Sequence, residues 1–122
     1  MEKIKSLCVM RDLLKALSKL ENQLVEKHGV CLNEAMALCS LYDGTLSASG
    51  ISEMIGLAPS HTSKVIRSIE EKKLIKRSLG KQDKRTMYFH LTESGNDIIA
   101  KIKGDGIEIP DFLVPLFKEY KE

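Results

Sequence analysis

Cysteine is scarce in this chain and badly placed for a framework. Cys8, Cys31 and Cys39 make an odd count of three in 122 residues, with no C-x-x-C pair. That excludes a self-contained disulfide scaffold and a zinc knuckle. Long apolar runs are missing too. Runs such as Leu7 to Met10 and the proline-interrupted Phe112 to Phe117 fall far short of the roughly 20 residues a bilayer demands. The opening Met-Glu-Lys-Ile-Lys-Ser also lacks the apolar core of a signal peptide. A cytoplasmic location with no membrane partner is the expectation. Catalytic patterns are equally absent: there is no Gly-rich phosphate loop, HExxH, nucleophile elbow or carboxylate pair in an apolar setting. An enzyme is the least favoured class, and no cofactor is expected. His28 and Cys31 share a helix-end loop, but two residues do not make a metal site, and none is expected.

What remains is ordinary globular material. A 43% hydrophobic share beside 30% charged residues fits a single domain over residues 1–122 with one modest core. There are no repeats, low-complexity tracts or flexible linkers. The net charge is only +2, but it is segregated. Residues 59–91 hold nine Lys or Arg against Glu70, Glu71 and Asp83, an excess of six, whereas residues 1–58 sum to minus one and residues 92–122 to minus three. A basic centre between acidic flanks is the footprint of a phosphate-binding face.

Hydrophobic spacing predicts a long amphipathic helix from about Lys3 to His28, on Ile4, Leu7, Met10, Leu13, Leu14, Leu17, Leu20 and Leu24, with Gly29 as its left-handed terminator. At about 1.5 Å per residue it approaches 40 Å, more than so small a domain can cover. Part of its stripe is expected to face another chain. A second helix is expected from an Asn33 cap, carrying Met36, Cys39 and Tyr42 inward until Asp43 and Gly44. Ser47 should cap a short third helix with Ile51, Met54 and Ile55, ending at Gly56. Pro59 opens a fourth, whose buried edge is Val65, Ile66 and Ile69. Ile75 to Leu79 and Thr86 to Leu91 read as a hairpin around a polar tip at Gly80 to Lys84. Thr92 then caps a helix with Ile98, Ile99 and Ile102 inside, ended early by Gly104 and Gly106. In the tail, Phe112, Leu116, Phe117 and Tyr120 repeat the amphipathic theme, while Pro110 and Pro115 forbid one long helix.

Residues 47–73 thus supply an apolar helix, a Gly-containing turn and a second helix with a polar, cationic outer face, the parts of a helix-turn-helix. A basic hairpin directly after it is a wing, whose tip can follow phosphates toward the minor groove. The expected contacts on the recognition helix are Pro59, Ser60, His61, Ser63, Lys64 and Arg67, and on the wing Lys76, Arg77, Lys81, Lys84 and Arg85. Asp83 is expected to brace Arg85 or Arg77 within the wing. The bland alternative for these cations is a solvated surface, and Arg67 has the further option of pairing with Glu70 or Glu71. His61 could donate to a guanine N7 or a phosphate, or simply face solvent.

The run Leu74-Ile75-Lys76-Arg77, then Asp83-x-Arg85, then Leu91-Thr92-x-x-Gly95 resembles the wing signature of the MarR family of bacterial winged-helix transcription regulators. Ser60, Ser63 and Lys64 fall where that family's recognition helix has Ser, Ser and a basic residue. The resemblance implies a mainly α fold with a small β-hairpin wing: a winged helix-turn-helix core at residues 32–99, flanked by dimerisation segments at 1–28 and 100–122. It also implies a homodimeric repressor on a pseudo-palindromic double-stranded DNA operator, with a cleft for a small-molecule effector. Two positions depart from the pattern. Lys73 stands where a helix-ending Gly is usual, at about 1 kcal/mol if the position is left-handed. The helix after Gly95 is shortened at Gly104.

Cys8, between Leu7 and Val9, is expected to be a packing residue without a redox role, since it has no resolving cysteine in sequence and no cationic partner apart from Lys5 and Arg11, with Asp12 also nearby. Two classes of function remain. One is a DNA-binding regulator; the other is a winged-helix protein-interaction module that does not read DNA. The basic excess favours the first, and salt-dependent binding to any duplex separates them.

Overall fold

The computed structural model describes residues 3–82 and 84–117. Helix α1 runs Lys3–His28, α2 Leu32–Ser40, strand β1 Leu46–Ser47, α3 Ala48–Ile55, α4 Pro59–Glu71, β2 Ile75–Leu79, β3 Met87–Leu91 and α5 Glu93–Asp105. A 3-10 turn at Asp111–Leu113 and a one-turn helix α6 at Val114–Phe117 follow. The architecture is the mainly helical, winged arrangement expected, with one addition. β1 pairs with β3 through Leu46 and Phe89, so the sheet has three antiparallel strands in the order β1-β3-β2. Two residues are too few to show a period of two, which is why the sequence showed only the hairpin.

α1 ends as expected at Gly29, whose φ of 71° lets its N–H reach the Val25 carbonyl at 3.0 Å. Among the described residues, it joins the core through its C-terminal part, by Leu24 and the half-buried Leu20. α2 departs from expectation at both its start and its face. Its cap is Cys31, not Asn33. Two carboxylates take the orphan N–H groups there: Glu34 accepts from Cys31 at 2.9 Å, and Glu21 of α1 accepts from Leu32 at 3.0 Å. One acceptor three residues on and one eleven residues back outweigh the local preference for Asn as a cap. The buried face is Glu34, Ala35, Ala37 and Leu38, continued by Leu41, while Met36, Cys39 and Tyr42 are exposed. Apolar residues surround this helix, so spacing alone could not choose the side, and the small alanines allow the closest approach.

The core joins Leu24, Val30, Leu38, Leu41, Ile51, Val65, Ile66, Ile69, Leu74, Ile75 and Phe89, with Ile98, Ile99 and Ile102 of α5 packed against it. Gly104 stays inside α5, which ends at Gly106 (φ 73°). His28 and Asp105 tie the ends of α1 and α5 together, with Nε2 and Oδ2 3.1 Å apart. Lys19 and Glu108, 3.2 Å apart, hold the tail beside α1. Tyr120 lies outside the described residues. Among those described, no helix is long and apolar enough to cross a membrane.

Candidate nucleic-acid interface

The turn between α3 and α4 is closed by side chains from both helices. Ser47 caps α3 by accepting from the Gly50 N–H at 3.2 Å, and Gly56 ends it with φ 71°. The Leu57 carbonyl inside the turn accepts from Ser52 Oγ at 2.5 Å and Thr62 Oγ1 at 3.4 Å. Pro59 is the first residue of α4, where its missing N–H has no intrahelical partner to lose. Thr62, Val65, Ile66 and Ile69 are buried, whereas Pro59, Ser60, His61, Ser63, Lys64 and Arg67 are all exposed on the opposite side. Ser63 Oγ donates back to the Pro59 carbonyl at 3.0 Å.

The end of α4 is fixed by a left-handed turn at Lys73 (φ 62°). Leu74 N–H reaches Ile69 O at 3.0 Å and Lys73 N–H reaches Glu70 O at 2.9 Å, the pair of bonds that defines a Schellman motif. The departure noted at Lys73 is therefore a real backbone strain. The Leu91-Thr92-x-x-Gly95 motif closes on the same turn. Thr92 N–H donates to Leu74 O at 3.0 Å, Thr92 Oγ1 donates to Lys73 O at 2.7 Å and also accepts from Gly95 N–H at 3.1 Å. A Cβ on Gly95 would sit 2.1 Å from the Leu74 carbonyl oxygen. This part of the signature is a clamp between α5 and the exit of the recognition helix.

A second clamp was not visible in the sequence reading. Glu34, 5% exposed, accepts from Lys72 Nζ at 2.8 and 2.9 Å, from Ser68 Oγ at 2.8 Å and from the Cys31 amide. Lys72 Nζ also reaches the Gly29 carbonyl at 2.9 Å, so one ammonium joins the end of α1, the start of α2 and the end of α4. Burial would raise the Glu34 carboxyl, but the bonds from Lys72, the Cys31 amide and Ser68 outweigh it and hold the group below its ordinary value. The signal that could have found it is Glu34 three residues after Cys31, a capping-box spacing with Cys in the Ser position.

On the wing, Lys76, Arg77, Lys81, Lys84 and Arg85 are exposed, and Gly80 N–H to Thr86 O at 3.1 Å closes the hairpin. Asp83, expected as the brace, lies outside the described residues. Arg77 has another partner: Glu70 of α4 takes its guanidinium, which also lies over Phe89. Of the nine cations in residues 59–91, Lys72 and Arg77 are thus held in ion pairs. Behind this lobe, Leu20, Leu24, Leu32, Met36, Ile55 and Ile102 line an apolar cleft of about 380 Å³ between α1, α2, α3 and α5.

A closed helix-turn-helix followed by a β-hairpin wing, its sheet completed by β1, defines the class: a winged-helix protein of the MarR type that the motifs implied. The family model described as transcriptional regulator SarA/Rot matches residues 12–102, and the chain belongs to that family. Among solved structures it is similar to S. aureus MepR in a DNA complex, at 23% identity and a TM-score of 0.65, covering 79% of this chain and 80% of that one. It is also similar to CouR of Rhodococcus jostii RHA1 bound to p-coumaroyl-CoA, at 22% identity and a TM-score of 0.75, covering 97% and 88%. BldR of Sulfolobus solfataricus, at 16% identity, matches over 98% and 96% with a TM-score of 0.72. No curated protein gives a sequence match.

Proposed function

We propose that this chain is a homodimeric transcription regulator that reads double-stranded DNA, acting in the cytoplasm as a repressor on a pseudo-palindromic operator. The observation that carries the reading is the two-sided α4, which exposes Pro59, Ser60, His61, Ser63, Lys64 and Arg67 while burying Thr62, Val65, Ile66 and Ile69. On that surface, His61, Ser63 and Lys64 meet base edges in the major groove, and Lys76, Lys81, Lys84 and Arg85 carry the wing along phosphates and the minor-groove edge. No catalytic step belongs to this reading.

In this assignment residues 32–99 are the DNA-binding core, and residues 1–28 and 100–122 join the protomers. Exposed Leu7, Met10 and Leu14 on α1, with Phe112 and Leu116 in the tail, support a second copy as their cover. Leu24, at the end of the same α1 stripe, belongs to the protomer's own core. The 380 Å³ cleft behind the lobe is where a small effector would bias the spacing of the recognition helices. That MepR was solved with DNA and CouR with an acyl-CoA agrees with both halves of this reading. Selection from random duplex DNA, followed by binding across a salt series, tests it. A palindromic consensus with a steep salt slope is expected, whereas salt-insensitive or absent duplex binding would favour a protein-docking module.

A further inference from the structure

Glu70 is the next-to-last residue of α4 and Arg77 the third of β2, on opposite sides of the Lys73 turn. The guanidinium meets the carboxylate edge to edge, with Nε donating to Oε2 at 2.8 Å and Nη2 donating to Oε1. Its Cζ lies over the Phe89 ring, 5.4 Å from the centroid, and the β2–β3 register sets Arg77 directly opposite Phe89. One side chain thus touches the recognition helix and both strands of the wing. A two-pronged fork whose cation sits over a ring restricts rotation as well as separation, which a lysine point charge cannot do. The same contacts argue against a phosphate role, because the guanidinium would have to leave a carboxylate that already neutralises it. Glu70 agrees with a firm pairing: the Arg77 hydrogen bonds hold its carboxyl below the ordinary range.

We propose that Arg77 is a positioning residue and not a phosphate contact: with Glu70 and Phe89 it fixes the angle between α4 and the wing, so that helix and hairpin tip engage their two grooves together. The inference rests on the DNA-binding reading above and reassigns one residue within it. Simple electrostatics and the positioning role differ in sign. Near DNA, removing the Glu70 charge should tighten binding if the pair is idle, and loosen it if the pair sets the geometry.

The test measures binding of the full chain to its selected duplex across a salt series, for the parent, Glu70→Gln, Arg77→Gln, the double variant and Arg77→Lys. Each single substitution is expected to weaken binding about 3- to 5-fold, the range an exposed but well-formed ion pair can supply. The double variant should be no weaker than the worse single, Arg77→Lys should behave like Arg77→Gln, and all should keep the parent's salt slope. Tighter binding by Glu70→Gln, additive losses in the double variant, or a slope lowered by about one unit per protomer in Arg77→Gln and restored by Arg77→Lys would each overturn the proposal. Should a single variant melt early, the swapped pair Glu70→Arg with Arg77→Glu decides. Binding better than both singles supports positioning, and binding no better than the worse single defeats it. A parent with no salt-dependent duplex binding would defeat the DNA-binding reading itself, a result distinct from all of these.

Discussion

The helix-turn-helix lobe and the two ends of the chain dispose of their apolar residues in opposite ways. In the lobe, Ile51, Val65, Ile66, Ile69, Leu74, Ile75 and Phe89 are buried, and each turn is closed by a side chain or a left-handed residue. At the ends, Leu7, Met10 and Leu14 of α1 are 62–70% exposed, and Phe112 and Leu116 of the tail are about half exposed. Residues placed every third or fourth position cost solubility unless something covers them. Among the described residues the lobe's apolar side chains are therefore covered within the chain, while those of α1 and the tail are left uncovered, as the proposed dimer requires. Substitutions in the two regions should fail differently: in the lobe through folding, at the ends through association.

The largest effect is expected at Gly95. Because a Cβ there would lie 2.1 Å from the Leu74 carbonyl oxygen, Gly95→Ala must push α5 off the exit of α4. It should cost about 3 kcal/mol or more, read as a lower denaturation midpoint. An unchanged midpoint would mean that the clamp between α5 and the Lys73 turn is soft. At the ends the corresponding change is Leu14→Glu. It should raise the dimer dissociation constant about 30-fold, as loss of an apolar anchor does, and leave the secondary structure of the protomer intact. Sedimentation at micromolar concentration checks it, and a parent already monomeric there would remove the contrast between the regions.

A smaller effect sharpens the picture of the lobe. Glu34 is buried but its partner Lys72 is 41% exposed, so breaking the pair should cost less than a fully buried one: about 1–2 kcal/mol for Glu34→Gln near neutral pH. The folded carboxyl lies below its ordinary value of 4.5. The unfolded chain therefore takes up the proton first, and stability rises with pH through that window. The contribution of Glu34 is full above the unfolded value and disappears as pH falls through the folded one. Parent and Glu34→Gln should differ in unfolding free energy at pH 7 and converge in acid. A constant gap would show that the Glu34 hydrogen bonds, not its charge, hold α2 to α4.

The same contrast governs how much could be read from the sequence. Ser47, Gly56, Pro59, Thr92 and the β2 span were legible because each is a local rule: a cap, a left-handed end, a first-turn proline, a β-prone run before a polar tip. The exposed face of α4 was legible because its buried edge follows the helical repeat. The start and face of α2 were not, since Glu21 and Lys72 act on it from 11 and 38 residues away. Nor was the partner of Arg77. Glu70 lies seven positions earlier, across a turn whose geometry no spacing rule supplies, and the motif drew attention to Asp83 instead.

The smallest expected effect concerns Lys73, which adopts φ 62° where glycine would be unstrained. Lys73→Gly should relieve about 1 kcal/mol of backbone strain, but glycine also gives the unfolded chain more freedom, which offsets part of the gain. The net should be a stabilisation of about 0.5 kcal/mol, visible as a small rise in denaturation midpoint. The Schellman bonds from Lys73 and Leu74 to Glu70 and Ile69 are made by backbone N–H groups, so the exit angle of α4 should persist in the variant. DNA affinity should then fall only by the loss of one nearby positive charge, an amount that high salt abolishes. If Lys73→Gly destabilised the protein, the lysine side chain would have to be holding the turn, and the lobe would depend on a contact beyond its backbone closure.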